Sequence, residues 1–425
     1  MTDRATMRRA VTAAMIGNAT EWYDYAIYGY LAVTLGGVFF PSDDPTVSLL
    51  ASFSAFALAF LIRPLGAFFF GPLSDKIGRQ RSLSITILVM AGATFAIGLL
   101  PGYATAGVFA PIALVVLRLV QGFAVGGEYG GASTFAVEYA PDKRRGMWAS
   151  WLEFGAIAGF LLASGLVALL TVYLPHDAMV TWGWRVPFLI AGPLGSIGLY
   201  LRMKLVDTPS FRALEDNEEV ARAPVRDTLT NHWRHVLICI GIVMYSSIGT
   251  YTILTFMPSY FSETLKTGAG SAQLLVFAAG ALLTIGIPAA GILSDRVGRK
   301  PLLVAAALGY AVLAYPAFWL MSLGSMPGLL SGVLLLTLCQ IPILGTTTAV
   351  LPALFPTRVR GTGVSIGYNV SHAIFGGTAP LLATFLVDRT GSSFAPAFYL
   401  IAVSLVALIP VLMSPETAGR PLREE

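Results

Sequence analysis

Long apolar runs alternate with short polar or charged patches along the whole chain. The runs cover roughly residues 12–38, 49–72, 82–101, 107–137, 146–173, 184–203, 236–262, 270–292, 302–323, 326–352, 363–387 and 395–414. At about 1.5 Å of rise per residue, some twenty helical residues cross the hydrocarbon core of a bilayer. Backbone amides and carbonyls find no water there, so each run must fold as a helix. The pattern predicts an all-α membrane protein with twelve transmembrane helices.

Composition agrees. Of 425 residues, 56% are hydrophobic and 12% charged, with mean hydropathy +0.73; a soluble domain carries about twice that charge. The bases sort by loop. Only Lys266 and Arg389 fall in loops on one side, and Arg63, Arg118 and Arg185 lie in or at spans; the rest of the 27 lie on the other side. The positive-inside rule then places both termini in the cytoplasm and the chain in the cytoplasmic (inner) membrane as a multi-pass protein. An odd number of spans would scramble this sorting. The net charge of +4 is therefore topological and does not imply nucleic acid. Arg4, Arg8 and Arg9 precede an apolar segment that is too long for a signal peptide, contains carboxylates and lacks a small-residue cleavage site; it reads as an uncleaved first span. Cys239 and Cys339 sit in apolar runs and suggest neither a disulfide framework nor a metal site.

A repeat divides the chain. GPLSDKIGRQR (71–81) recurs as GILSDRVGRKP (291–301), and PDKRRG (141–146) is echoed by PTRVRG (356–361). Both echoes fall in cytoplasmic loops. The simplest account is a six-helix half at 1–203, a charged cytoplasmic linker at 204–235, and a second half in the same orientation at 236–425. Parallel halves around a midplane site describe a secondary transporter. The glycine-rich stretch after Gln121 lies in a span with no preceding strand, and no Walker motif occurs, so ATP-driven transport is not expected.

Ionisable residues inside spans are rare and usually functional. Glu21 and Asp24 lie in span 1, Arg63 in span 2, Arg118 and Glu128 in span 4, and Glu153 in span 5. All belong to the first half; in the second, His372 is the deep candidate besides Tyr and Cys. Glu21, Asp24, Tyr25 and Tyr28 share one helical face, too polar for lipid, that should line the cavity. Arg118, Gln121 and Glu128 form a stripe on span 4. The expected pairs are Asp24 with Arg118, and Glu153 or Glu128 with Arg63. Such pairs can simply hold helices in register. With four carboxylates against two arginines, however, the set reads as proton-coupling: Asp24 first, then Glu21, Glu128 and Glu153. The substrate candidates are Arg63, Arg118, Gln121, Tyr25, Tyr28, Trp151, Tyr251, Asn369 and His372. The last two could instead be a satisfied polar pair between helices. Aromatic faces attract fixed cations, and acids outnumber bases, which suits a zwitterion such as betaine, proline or ectoine. The alternative is a carboxylate such as citrate, ketoglutarate or shikimate, clamped by Arg63 and Arg118; a solute receptor without net transport is more remote. An intramembrane enzyme fits less well still. Trp182 and Trp184, beside Arg185, read as interfacial anchors.

Gly71, Asp75, Gly78 and Arg79 resemble the loop 2–3 signature of the major facilitator superfamily, and RLVQGFAVGGEYGGA (118–132) resembles the span 4 signature of its proton-coupled members. GNATEWYDYAIYG, FLIRPLGA, EYAPDKRRG, WGWRVPF and LFPTRVRGTG resemble the metabolite:proton symporter family. Within it the likeness is greatest to proline/betaine transporters, which move osmoprotectants. The resemblance implies alternating access, a proton as coupling ion, no other cofactor and no obligate protein partner. It also implies that the loop 2–3 cluster, with its copy at Asp295 and Arg299, locks the cytoplasmic side shut when the outer side is open. Osmosensing members continue into a long cytoplasmic helix; the sequence closes right after PETAGRPL, so control through such a tail is not expected.

Overall fold

The computed structural model describes residues 4–77, 79–126, 129–203 and 224–423. It is all α-helical among these residues. Span 1 comprises Arg4–Tyr30 and Ala32–Phe39, span 2 Pro45–Leu61 and Arg63–Ile77, span 3 Arg79–Leu99. Span 4 is Phe109–Val125 and Tyr129–Tyr139, span 5 Arg145–Tyr173, span 6 Arg185–Met203. In the second half, span 7 runs from Trp233–Tyr251 through two π-helical turns to Thr264, and span 8 is Ala269–Val297. Span 9 is Arg299–Ser322, span 10 Met326–Ala353, and span 11 is Arg360–Ser371, a π turn and Ala379–Thr390; span 12 is Ala395–Met413. Among the described residues, nine helices are long and apolar enough to cross a membrane by length and composition alone. The expected linker at 204–235 lies mostly outside the described residues, but its end forms a helix, Pro224–Asn231.

Local chemistry starts and stops these helices. Asp44 accepts a bond from Thr46 N at the head of span 2, with Pro45 at the first helical position. Ser325 does the same for Gly328 N before span 10. Gly298, at φ +105°, makes the tight turn from span 8 to span 9 inside the second copy of the repeated motif.

Spans 1, 5, 7 and 8 form the centre: span 1 packs along span 5, span 5 along span 8, and span 1 meets the π turn of span 7. Spans 3 and 6 pair on one flank, spans 9 and 12 on the other. Burial separates the layers: the most apolar window of span 7 is 78% buried, that of span 12 only 33%. Spans 2 and 4 meet across glycines. A Cβ on Gly122 would stand 1.8 Å from the Ala59 carbonyl oxygen, so only glycine permits this approach.

The C-terminal segment straps the end of the bundle at which spans 5 and 11 begin. The Arg420 carbonyl accepts from Arg145, at the start of span 5, and the Arg423 carbonyl accepts from Thr357 N and from Arg360, at the start of span 11. Glu416 anchors the strap by accepting from the backbone N–H groups of Arg299, Lys300, Thr417 and Ala418 at 2.8–3.1 Å. Burial pushes its carboxyl up, but the four N–H donors outweigh burial and hold it below the usual glutamate range.

Two outcomes follow. Gly122→Ala should destabilise the protein by about 1–3 kcal/mol through overpacking and lower its melting temperature in detergent, whereas Gly131→Ala, with open space around it, should not. Because the folded pKa of Glu416 is depressed, its contribution is full above the ordinary glutamate range and lost as pH falls through the folded value. Amide exchange at Arg299, Lys300, Thr417 and Ala418, corrected for intrinsic rates, should therefore lose protection on the acid side, and Glu416→Gln should weaken it at neutral pH.

Candidate functional site

The site is built at the seam between the halves. Trp22, Glu153 and Phe160 from the first half, and Ser247, Tyr251, Tyr368 and His372 from the second, line a cavity of about 30 Å³. Two of these residues flank irregular backbone: Tyr251 precedes the π turn Thr252–Phe256, and His372 begins the π turn His372–Gly376. Such turns recur at functional sites because they re-aim side chains. Three rings form an aromatic wall, with Trp22 5.8 Å from Phe160 and 6.5 Å from Tyr251, and Phe160 6.4 Å from Tyr251. Glu153 Oε1 accepts from Tyr129 OH at 2.8 Å and from Thr348 Oγ1 at 3.2 Å. Among the described residues, no lysine or arginine lines the cavity.

A cavity of this volume has room for water but is far smaller than an amino acid. Contacts between the halves flank it at both ends. At the end where span 1 turns into span 2, Gln273 Nε2 donates to the Tyr30 carbonyl at 3.0 Å. At the end where spans 5 and 11 begin, Tyr129 stacks on Tyr368 at 3.4 Å, Arg360 Nη1 meets Glu138 Oε1 at 2.7 Å, and Asp295 accepts from Gly146 N and Met147 N at 2.7 and 2.9 Å.

The deep charges lie behind this wall. Asp24 is 1% exposed; its Oδ2 accepts from Thr94 Oγ1 at 3.0 Å and its Oδ1 has no partner. Gln121 Nε2 donates to Thr94 Oγ1 at 2.6 Å, and Arg118 Nη1 donates to Gln121 Oε1 at 2.9 Å. The expected Asp24–Arg118 contact is thus a three-bond chain through Gln121 and Thr94, not a direct pair. Thr94 was not singled out by sequence; its signal was only a hydroxyl in an apolar span 3. Tyr28 supports Arg118, whose guanidinium carbon lies 4.3 Å from its ring centroid, and its OH donates to the Ser52 carbonyl. Arg63 does not meet Glu153. Its Nε donates to Asn369 Oδ1 at 3.3 Å, its guanidinium is ringed by Trp22, Tyr25, Phe60 and Tyr368 at 5.5–5.8 Å, and Nη1 and Nη2 have no partner.

Other expectations change. Glu21 and Asp24 line a second, smaller cavity inside the first half, not the one at the seam. Trp151 is half-buried against Phe154 and lines neither cavity. Asn369 is held by the Gly126 and Ser365 carbonyls as well as by Arg63, so it ties span 11 to span 4 and is a satisfied inter-helix group. Trp184 is no interfacial anchor: it is fully buried, edge-on to Phe39 and Phe188, while Trp182 is exposed. Phe160 carried no polar signal that sequence reasoning could have used. Glu128 and the side chains of Gly71, Asp75, Gly78 and Arg79 lie outside the described residues. Cys239 and Cys339 are buried free thiols.

The Major Facilitator Superfamily profile matches residues 12–374 and, overlapping it, 239–424. The chain belongs to the major facilitator superfamily. It is 42% identical to a proline/betaine transporter of Salmonella typhimurium and to a glycine betaine/proline/ectoine/pipecolic acid transporter of Dickeya dadantii, covering 99% of this chain and 86% of each relative. The fold matches a solved proton:xylose symporter over 100% of this chain and 99% of that one, with a TM-score of 0.79 at 18% identity.

As a major facilitator chain, the protein repeats its loop motif in the second half, and there the motif's geometry is visible. Asp295 caps the head of span 5 in the opposite half, where two orphan backbone N–H groups and the helix dipole favour a carboxylate. Arg299 stands 3.7 Å behind it and is itself fixed by Thr417 Oγ1 at 2.9 Å. Removing such a cap costs about 0.5–2 kcal/mol. Asp295→Ala should therefore speed labelling, by an impermeant reagent applied on the side where span 5 begins, of a cysteine placed at Thr347 on the cavity wall, in a background with Cys239 and Cys339 replaced by alanine.

Proposed function

We propose that the chain is a proton symporter for a small zwitterion carrying a fixed cation, such as betaine, proline or ectoine, working by alternating access in the cytoplasmic membrane with both termini inside. The observation that carries this reading is the seam cavity: a three-ring wall and a carboxylate, with no lysine or arginine among the described lining residues. The rings of Trp22, Phe160 and Tyr251 suit an ammonium group, each good contact being worth about 0.5–2 kcal/mol. A dicarboxylate would bring a second negative charge beside Glu153, with Arg63 as the nearby guanidinium to answer it. The names of the relatives support the same substrate class. The solute's own carboxylate has a natural partner in Arg63, whose two free nitrogens lie beside Trp22.

Asp24 is the proton site in this reading. An isolated carboxylate at this depth is costly to keep charged, so it is stable either protonated or with Arg118 drawn to it through Gln121 and Thr94. One proton moving with a neutral zwitterion carries one positive charge inward, and about 150 mV then supplies about 3.5 kcal/mol, or a few hundredfold accumulation. Opening outward must break Gln273–Tyr30; opening inward must break the Asp295 cap and the Tyr129–Tyr368 stack. Proton and solute drive the cycle only insofar as each binds the closed state differently from the open ones.

Reconstituted protein given an inward proton gradient should take up labelled glycine betaine or proline, lose uptake with a protonophore, and resist competition by citrate, ketoglutarate and shikimate. Asp24→Asn should abolish uphill uptake and keep solute exchange. Gradient-driven uptake of one of those acids, without betaine or proline uptake, would replace this reading with carboxylate transport through Arg63.

A further inference from the structure

Span 1 sends neighbouring residues into two separate cavities. Trp22 lines the seam cavity, whereas Glu21 and Asp24 line one enclosed between spans 1, 3 and 4 together with Gly17, Thr86 and Ala124. The two share no lining residue. Span 1 itself is the partition, with Trp22 fixed on its seam side: the indole Nε1 donates to Asn18 Oδ1 at 3.0 Å, and Asn18 Nδ2 donates to the Leu152 carbonyl at 2.8 Å. The inner cavity measures about 10 Å³, which is room for a single water. Two carboxylates face it, and Asp24 Oδ1, fully buried, is the atom left without a partner. Glu21 is one helical turn closer to the N-terminal end of span 1, and Gly17 continues the cavity wall another turn that way.

From this geometry we propose that Glu21 is a proton relay for Asp24, working through one water, so that proton and solute leave by different routes. The inference rests on the symport reading above and specifies the proton's path within it. The protonated Asp24 gives its proton to the cavity water as that water gives one of its own to the Glu21 carboxylate. Asp24 is left as the anion, Glu21 becomes neutral, and the water is regenerated. The transfer is completed when Glu21 releases its proton toward the cytoplasmic end of span 1. The charged and titratable groups within electrostatic reach decide which way it runs. Asp24 is faced by Arg118 from span 4 and by Tyr23 and Tyr25 of its own helix; Glu21 is faced by Arg63 from span 2, Tyr251 from span 7 and Tyr25. Among the described residues, span 3 contributes no titratable group to the cavity, only Thr86 and apolar side chains. Each carboxylate thus has a different arginine, and a movement of spans 2 and 4 against span 1 shifts the balance between them. Coupling follows from the partition: solute pressing on Trp22 acts on the same helical turn that holds both acids.

The test measures proton flux and solute exchange separately in proteoliposomes, with a trapped pH dye and labelled betaine. Glu21→Gln keeps the shape and removes the relay. It should cut net proton-driven uptake and the accompanying proton flux by about tenfold or more, while exchange of solute at equal pH on both sides and solute affinity persist. Glu21→Asp, which restores a carboxylate, should recover part of the proton flux. Unchanged proton flux in Glu21→Gln, with gradient dependence intact in the wild type, would overturn the relay alone. So would loss of exchange and affinity in both variants, which would make Glu21 a structural or solute-holding group. A wild-type protein whose betaine uptake ignores the gradient would overturn the symport reading itself, and the relay with it.

Discussion

Ionisable groups buried at bilayer depth constrain everything else in this molecule. Four of them, Asp24, Arg63, Arg118 and Glu153, are buried, yet no two of the four form a direct ion pair. A direct pair in low dielectric would be deep and rigid, and separating it would cost several kcal/mol. The chain meets the cost with softer partners. Asp24 and Arg118 communicate through a hydroxyl and an amide, Glu153 accepts from two hydroxyls, and Arg63 rests among aromatic faces. Each of these interactions can be exchanged for another of similar strength. A protein that must pass through several conformations each cycle needs that exchangeability more than it needs maximal stability.

The halves share a fold but divide the work. The first half holds the buried acids and the arginines that answer them. The second is nearly neutral at depth among the described residues, and one buried polar network in it is internally satisfied: Gln340 donates to the Ser246 carbonyl and to Thr250 Oγ1 while accepting from Tyr310 OH. This network steadies span 7 just before its helix changes pitch at Tyr251. One half therefore carries the charge, while the aromatic wall against which a solute would rest is shared, Trp22 and Phe160 of the first half meeting Tyr251 of the second.

What sequence could read, and what it could not, follows from range. Helical spans depend on local composition and period, and the apolar runs predicted nearly every helix. The set of deep charges was equally legible, because a carboxylate between Trp22 and Tyr25 has no bland neighbourhood in a membrane. Their partners were not. Thr94, Tyr129 and Thr348 are ordinary residues whose importance comes from which helix they meet. The assumption that opposite charges must pair directly led to Arg63 with Glu153, whereas the fold places Asn369 at one and two hydroxyls at the other. Likewise, one polar face on span 1 suggested one cavity; the turn of the helix gives Trp22 and Asp24 two.

The π turns in spans 7 and 11 carry a mechanical consequence. Each accommodates one residue more than an α-helical turn, so a helix containing one holds slack in its winding. If the slack migrates by one position, the side chains it passes swing by roughly 100° while the helix keeps its length and its ends stay where the loops hold them. Tyr251 and His372 sit at the edge of that slack. The aromatic wall can therefore be dismantled and rebuilt by rotation inside two helices, like a kink travelling along a rope whose ends are tied.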